Sequence, residues 1–229
     1  MRIFALTLFL VSQLWSASVD DLTFSENSGE LTITAIDSSA TGTLVIPATY
    51  LSLPITKIAN SAFRNSNITG IDLPNSITSI GSGGAFGSGA FANSELLSIV
   101  IPDSVTVIEP WTFAESQITS VVIPDSVTTI GDNAFDSSDL ASVIIPNSVT
   151  TIGSEAFAYC RSLTSIVLPD TLEVIDRMAF QSCFLLTSIN IPNSVKEIRS
   201  FAFDTTSLQS FNIPTSLETI GENGEILNE

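Results

Sequence analysis

The sequence predicts a repeat solenoid, mainly β, of about eight coils of 22–23 residues behind an N-terminal β-hairpin cap. Two periodicities and one recurring β-branched run predict it. Phenylalanine recurs at Phe63, Phe91, Phe113, Phe135, Phe157, Phe180 and Phe203, at steps of 28, 22, 22, 22, 23 and 23 residues. Proline keeps the same beat at Pro74, Pro102, Pro124, Pro146, Pro169, Pro192 and Pro214. From Pro102 to Pro192 the matching Phe follows 11 residues later. Self-similarity at such a period marks a chain that stacks one unit on the next and buries each unit's apolar side against its neighbours. Before most of the prolines stands a short β-branched apolar run such as Ile99-Val100-Ile101, which reads as a strand.

Taken in order, residues 1–18 read as a secretory signal peptide. Arg2 supplies the positive start, Ile3 to Leu14 is apolar, and Ser16-Ala17-Ser18 offers small residues for cleavage before Val19. The apolar run is too short for a good membrane-spanning helix, and no second one follows. Residues 19–42 form the cap: Leu22-Thr23-Phe24, a turn over Ser25 to Gly29, then the alternating strand Leu31 to Ile36. Residues 43–220 form the solenoid, whose first coil is irregular around Tyr50-Leu51-Ser52-Leu53-Pro54. Within each later coil a β-branched run such as Val121-Val122-Ile123 ends at Pro, which has no N–H for a ladder. The Asp or Asn next to the Pro starts a turn. A second extended piece follows, as in Val127-Thr128-Thr129-Ile130, and Gly131 is expected to open another bend. The Ala-Phe pair then closes the coil, with Phe inside. Residues 81–91 carry Ala-Phe twice, so either copy can complete its coil and the surplus is expected to bulge as a Gly/Ser loop. Residues 221–229 form an acidic tail.

Charge and composition exclude several classes. Twenty-four acidic residues against seven basic give a net charge of −17, which opposes nucleic acid and anionic lipid. Histidine is absent, which removes the commonest general base, the Ser-His-Asp and Cys-His arrangements and most zinc sites. No phosphate-binding glycine loop joins a strand to a helix. No cofactor or metal is expected. Cys160 and Cys183 hold the same frame position on adjacent coils. Two buried thiols in a packing layer are the favoured reading and a disulfide the alternative, since neighbouring strands lie about 5 Å apart.

Three columns of equivalent residues are candidates for function. Asp103, Asp125, Asn147, Asp170 and Asn193 follow the prolines. Asp alternating with Asn suits turn-capping, though a carboxylate pair here is the basis for an alternative reading as a secreted carboxylate-dependent glycan hydrolase. Thr106, Thr128 and Thr150 form a short threonine array, the basis for a third reading as a structural or ice-binding solenoid. The strongest candidate is Val100, Val122, Ile144 and Val167. Alternation turns these outward, between Asp72 before them and Asn190 and Asn212 after, as an apolar patch with a polar rim.

The unit Leu163-Thr164-Ser165-Ile166-Val167-Leu168-Pro169, continuing through Leu172, Ile175 and Ala179-Phe180 to Cys183, resembles the BspA-like (Treponema-type) subclass of leucine-rich repeats. The resemblance covers roughly residues 43–220, although most coils lack the Cys. It implies a curved solenoid with a concave parallel sheet, on exported or surface proteins that bind proteins or matrix components, and it supplies no catalytic residues. The chain is therefore expected to be a secreted or cell-surface, non-enzymatic protein-binding or adhesion module. Its partner would be a protein or surface glycan, met at Val100, Val122, Ile144 and Val167.

Overall fold

A computed structural model describes residues 16–81 and 87–221. Residues 1–15 of the expected leader, 82–86 of the Gly/Ser stretch and 222–229 of the acidic tail lie outside the described residues. The architecture is a β-solenoid of about eight coils, with no α-helix among the described residues. Each coil contributes one short strand to a front column and one to a side column. In the regular coils the front strands include Ser98–Val100, Ser120–Val122, Ser142–Ile144 and Ser165–Val167. The first two and the last two belong to separate sheets, so the front is a column of short sheets and not the single parallel sheet expected. The side strands run from Val107–Ile108 through Thr129–Ile130 to Thr219–Ile220 in one six-stranded parallel sheet. The register is repeat on repeat: Ser120 pairs Ser98, Val122 pairs Val100, Ile144 pairs Val167 and Ile130 pairs both Ile108 and Ile152. Equivalent residues therefore stack in columns, and that stacking carries a sequence column into a surface or a core.

The core is a stack of rings. Phe63, Phe91, Phe113, Phe135, Phe157, Phe180 and Phe203 are all fully buried. Successive centroids lie 4.9–5.7 Å apart with ring planes within 11° of parallel. Phe91 stacks between Phe63 and Phe113, so Ala90-Phe91 is the copy that completes its coil despite the longer step before it. Around the rings run aliphatic columns such as Val105, Val127 and Val149, or Ile108, Ile130 and Ile152, each at most 2% exposed.

The Ala-Phe turns form a third ladder that is not β. Asn133, Phe135 and Ser137 donate their N–H groups to Ser154, Ala156 and Ala158 of the next coil at 2.8–2.9 Å. The same pattern recurs down the stack. Residues flanking each Ala-Phe adopt left-handed backbone, among them Asn133 (φ 55°) and Ser137 (φ 56°). Three residues after each Phe stands Ser66, Ser94, Ser116, Ser138, Cys160, Cys183 or Thr206. Ser94 and Ser116 donate to the Phe carbonyl of their own coil, at 2.8 and 2.6 Å. Cys160 and Cys183 donate to Phe135 and Phe157 of the coil before, at 3.1 and 3.2 Å. The two cysteines are buried free thiols in a hydroxyl slot, not a disulfide.

At the N-terminal end, Leu22–Asn27 and Glu30–Ile36 form an antiparallel hairpin through Ser28-Gly29. The first strand runs further than the sequence pattern suggested, because left-handed Ser28 and Gly29 (φ 56° and 83°) make a two-residue turn. Its second strand pairs in parallel with Leu53–Ile58, covering the edge of the side column. The irregular first coil is explained by a small antiparallel hairpin, Thr49–Tyr50 against Leu53–Ile58. Ser16-Ala17-Ser18 is docked: Ala17 is buried and donates to Thr41 at 2.8 Å, and Ser18 caps the turn of 3₁₀ helix Val19–Asp21. Gly131 does not open a bend by unusual dihedrals. A Cβ there would meet the Pro110 nitrogen at 2.6 Å, so glycine is needed for the close approach of two coils.

Candidate binding face

The front column is made by the residues before each proline. The inward members, Ile99 and Ile101 with Val121 and Ile123, are at most 9% exposed. Alternation turns the residues between them to solvent. Val100, Val122, Ile144 and Val167 are 63%, 58%, 71% and 52% exposed. The structure thus brings the four candidate residues into one outward column across adjacent coils. Asp72 stands exposed one coil before Val100, and Asn190 one coil after Val167. Beyond Asp72 the apolar column resumes at Val45, 60% exposed and paired with Asp72.

Two residues earlier on each strand, a second outward column runs Ser98, Ser120, Ser142, Ser165 and Ser188, all exposed. None of these side chains makes a hydrogen bond among the described residues. The sequence repeat contains this column, yet serine on an exposed strand gave no reason to single it out. Together the columns make an uncharged strip, hydroxyl beside aliphatic, on a strongly acidic chain. Shallow hollows lie along it. One of about 480 Å³ is lined by residues including Val122, Asp125 and Ile144, and another of about 390 Å³ by residues including Asp72, Val100 and Val122.

The margin of the strip is the post-proline column. Asn147 accepts from the Asp170 N–H at 2.9 Å and Asn193 from the Thr215 N–H at 3.3 Å, so the Asn members tie coil to coil. Asp103, Asp125 and Asp170 are exposed and their carboxylates accept no hydrogen bond among the described residues, so the expected turn-capping gives way to bridges from the Asn members to the next coil. Among the described residues no group of three or more Cys, Asp or Glu is placed to hold a metal ion. The threonine column also differs from a free lattice. The Thr128 hydroxyl donates to Thr106 O at 3.3 Å and Thr150 to Thr128 O at 3.5 Å, so these groups are turned to backbone. Ion pairs among the described residues lie elsewhere, Lys196 with Glu173 and Arg199 with Asp176 and Glu197.

Comparison with known proteins places this geometry. The family model for the BspA type leucine rich repeat region matches in six copies, over residues 43–161, 85–185 and 150–224. No curated protein matches the chain. A leucine-rich repeat protein of Bacteroides ovatus is similar in structure, with a TM-score of 0.77 and 29% identity over 92% of this chain. The chain spans 56% of that protein's length. The Treponema pallidum leucine-rich repeat protein shares the fold at a TM-score of 0.61 and 22% identity, over 90% of this chain and 86% of that one. No helix among the described residues is long and apolar enough to cross a membrane.

Proposed function

The chain belongs to the BspA-type leucine-rich repeat family, and from that premise we propose that it is an exported binding module that holds a protein partner on its front strip. Membership of the family is consistent with a protein-binding or adhesion role, and the neighbours are repeat proteins of bacteria. The observation that carries the proposal is the column Val100, Val122, Ile144 and Val167. Four aliphatic side chains, each more than half exposed, stand on four adjacent coils, Val100 paired with Val122 and Ile144 with Val167, with no charge among them. A contiguous exposed apolar patch rimmed by polar groups is characteristic of contact surfaces. The serine column beside it supplies hydroxyls that neither donate nor accept inside the fold, and a partner's backbone or side chains can take both roles.

Export rests on the leader pattern in residues 1–18. The docking of Ala17 on Thr41, and the cap that Ser18 provides, support a cut upstream of this segment in preference to one before Val19. The test of the binding role is a double substitution, Val122→Asp with Ile144→Asp. Both side chains are exposed, so the fold should stand, while two unpaired carboxylates inside an interface are costly. Captured partners from the native environment should be lost with the double variant and retained with Thr128→Asp on the side column. Normal capture by the double variant would remove the strip from consideration.

A further inference from the structure

The repeat supplies its own internal control. Two and four residues after the buried phenylalanine, most coils place small or hydrogen-bonding side chains: Asn93 and Glu95, Glu115 and Gln117, Ser137 and Asp139. The coil of Phe157 instead carries Tyr159 and Arg161, and the next coil sets Phe184 in the Arg161 slot. Tyr159 and Phe184 are 39% and 41% exposed. Tyr159 also sits at φ 55°, a left-handed backbone that bulky side chains rarely adopt and that asparagine tolerates. The same left-handed conformation recurs in this slot at Asn65, Asn93, Glu115, Ser137, Ser182 and Thr205, so the coil imposes it and Tyr159 is held there by the repeat.

The Arg161 guanidinium carbon lies 5.7 Å from the centroid of the Phe184 ring. Arg161 makes no ion pair among the described residues, so the ring positions its donors while no carboxylate consumes them. Ser137, Ser138, Asp139, Tyr159 and Arg161 line an open hollow of about 320 Å³. That size falls at the lower end of small-molecule sites. The arrangement offers an aromatic face, fixed donors and a carboxylate acceptor around one concavity. A pyranose ring presents the complementary groups, an apolar C–H face and hydroxyls that both donate and accept. The chain's acidic surplus, including Asp136 and Asp139 on the adjoining coil, opposes an anionic sugar.

We infer that this corner binds a neutral glycan, with Tyr159 as the stacking platform, Arg161 as donor and Asp139 as acceptor. It shares no residue with the front strip and stands independently of what that strip holds.

The test is amide NMR titration of the chain with four neutral tetrasaccharides, cellotetraose, maltotetraose, mannotetraose and the β-1,4 N-acetylglucosamine tetramer, with tetragalacturonate as the anionic control. At least one neutral sugar should shift the amides of Ser137, Asp139, Tyr159 and Arg161. Tyr159→Asn and Arg161→Gln should each weaken its binding by about tenfold or more, equivalent to about 1.4 kcal/mol. Asparagine occupies the Tyr159 slot at Asn65 and Asn93 and suits the left-handed backbone, so Tyr159→Asn should melt at or above the wild-type temperature. Loss of binding in a variant of undiminished stability separates a binding role from a folding one. The inference is overturned if no neutral tetrasaccharide shifts those amides, if Tyr159→Asn binds like wild type, or if tetragalacturonate binds more tightly than every neutral sugar.

Discussion

Phe157→Ala probes the ring stack that defines the fold. Phe157 is fully buried, with its centroid 5.2 Å from Phe135 and 5.7 Å from Phe180, both near parallel. Removing the ring forfeits roughly 1.5–3 kcal/mol of apolar burial. Two ring–ring contacts add about 0.5–1.5 kcal/mol each. The sum, about 2.5–6 kcal/mol, brackets the 3–5 kcal/mol typical of Phe→Ala in a core. Coils touch only their neighbours, so the loss should be local. Urea unfolding followed by circular dichroism should show a lower midpoint, and amide exchange should accelerate first in the coils of Phe135 and Phe180. A variant with the wild-type midpoint would refute the ring stack as the core. Uniform acceleration from Phe63 to Phe203 would refute nearest-neighbour cooperativity.

Three further outcomes follow from particular contacts. Burial first, then the carboxylates of Glu155 and Glu115, push the Asp136 carboxyl up to about 6, against the opposing hydrogen bond from Ser137. The folded chain therefore keeps a proton that the unfolded chain releases from about pH 4, and stability falls as pH rises through 6. Asp136→Asn should raise the melting temperature at pH 7 and leave it unchanged below pH 4. Gly131→Ala should cost about 1–3 kcal/mol in a thermal melt, because the added methyl would press on Pro110. Burial pushes the Cys160 thiol up to about 12 and raises that of Cys183 as well, so a thiol reagent should label both only after unfolding. Cys160→Ser, which copies Ser138 in the same slot, should change stability by less than about 1 kcal/mol.

Most of the fold was legible because a solenoid writes its geometry as periodicity. The Phe and Pro beats gave the coil, and the two-residue period of a strand, with Ile99 and Ile101 inward, gave the face on which Val100 lies. What the sequence concealed has physical reasons. Left-handed backbone at Trp111, Glu115 and Tyr159 runs against the preference of those residues, and the inter-coil ladder imposes it. Buried thiols are the favoured sequence reading of Cys160 and Cys183, but the group each one meets is not visible there. In their slot Cys160 and Cys183 donate to a Phe carbonyl of the coil before, as Ser94, Ser116 and Thr206 donate to the Phe carbonyl of their own. The role of Gly131 could not be read locally, since the atom it avoids belongs to Pro110, 21 residues earlier in the chain. The serine column was visible as a repeat but acquires meaning only beside the aliphatic column, in a register that strand pairing sets.

Hydroxyl-radical footprinting of the chain, alone and bound to a captured partner, tests the central claim most directly. Val100, Val122, Ile144 and Val167 are 52–71% exposed in the free chain and should be oxidised readily. On binding, oxidation of all four should fall together, while exposed Leu51 on the first-coil hairpin and Thr128 on the side column keep their free-state rates. Unchanged oxidation of the four in a saturated complex would contradict the account and move the contact off the front strip.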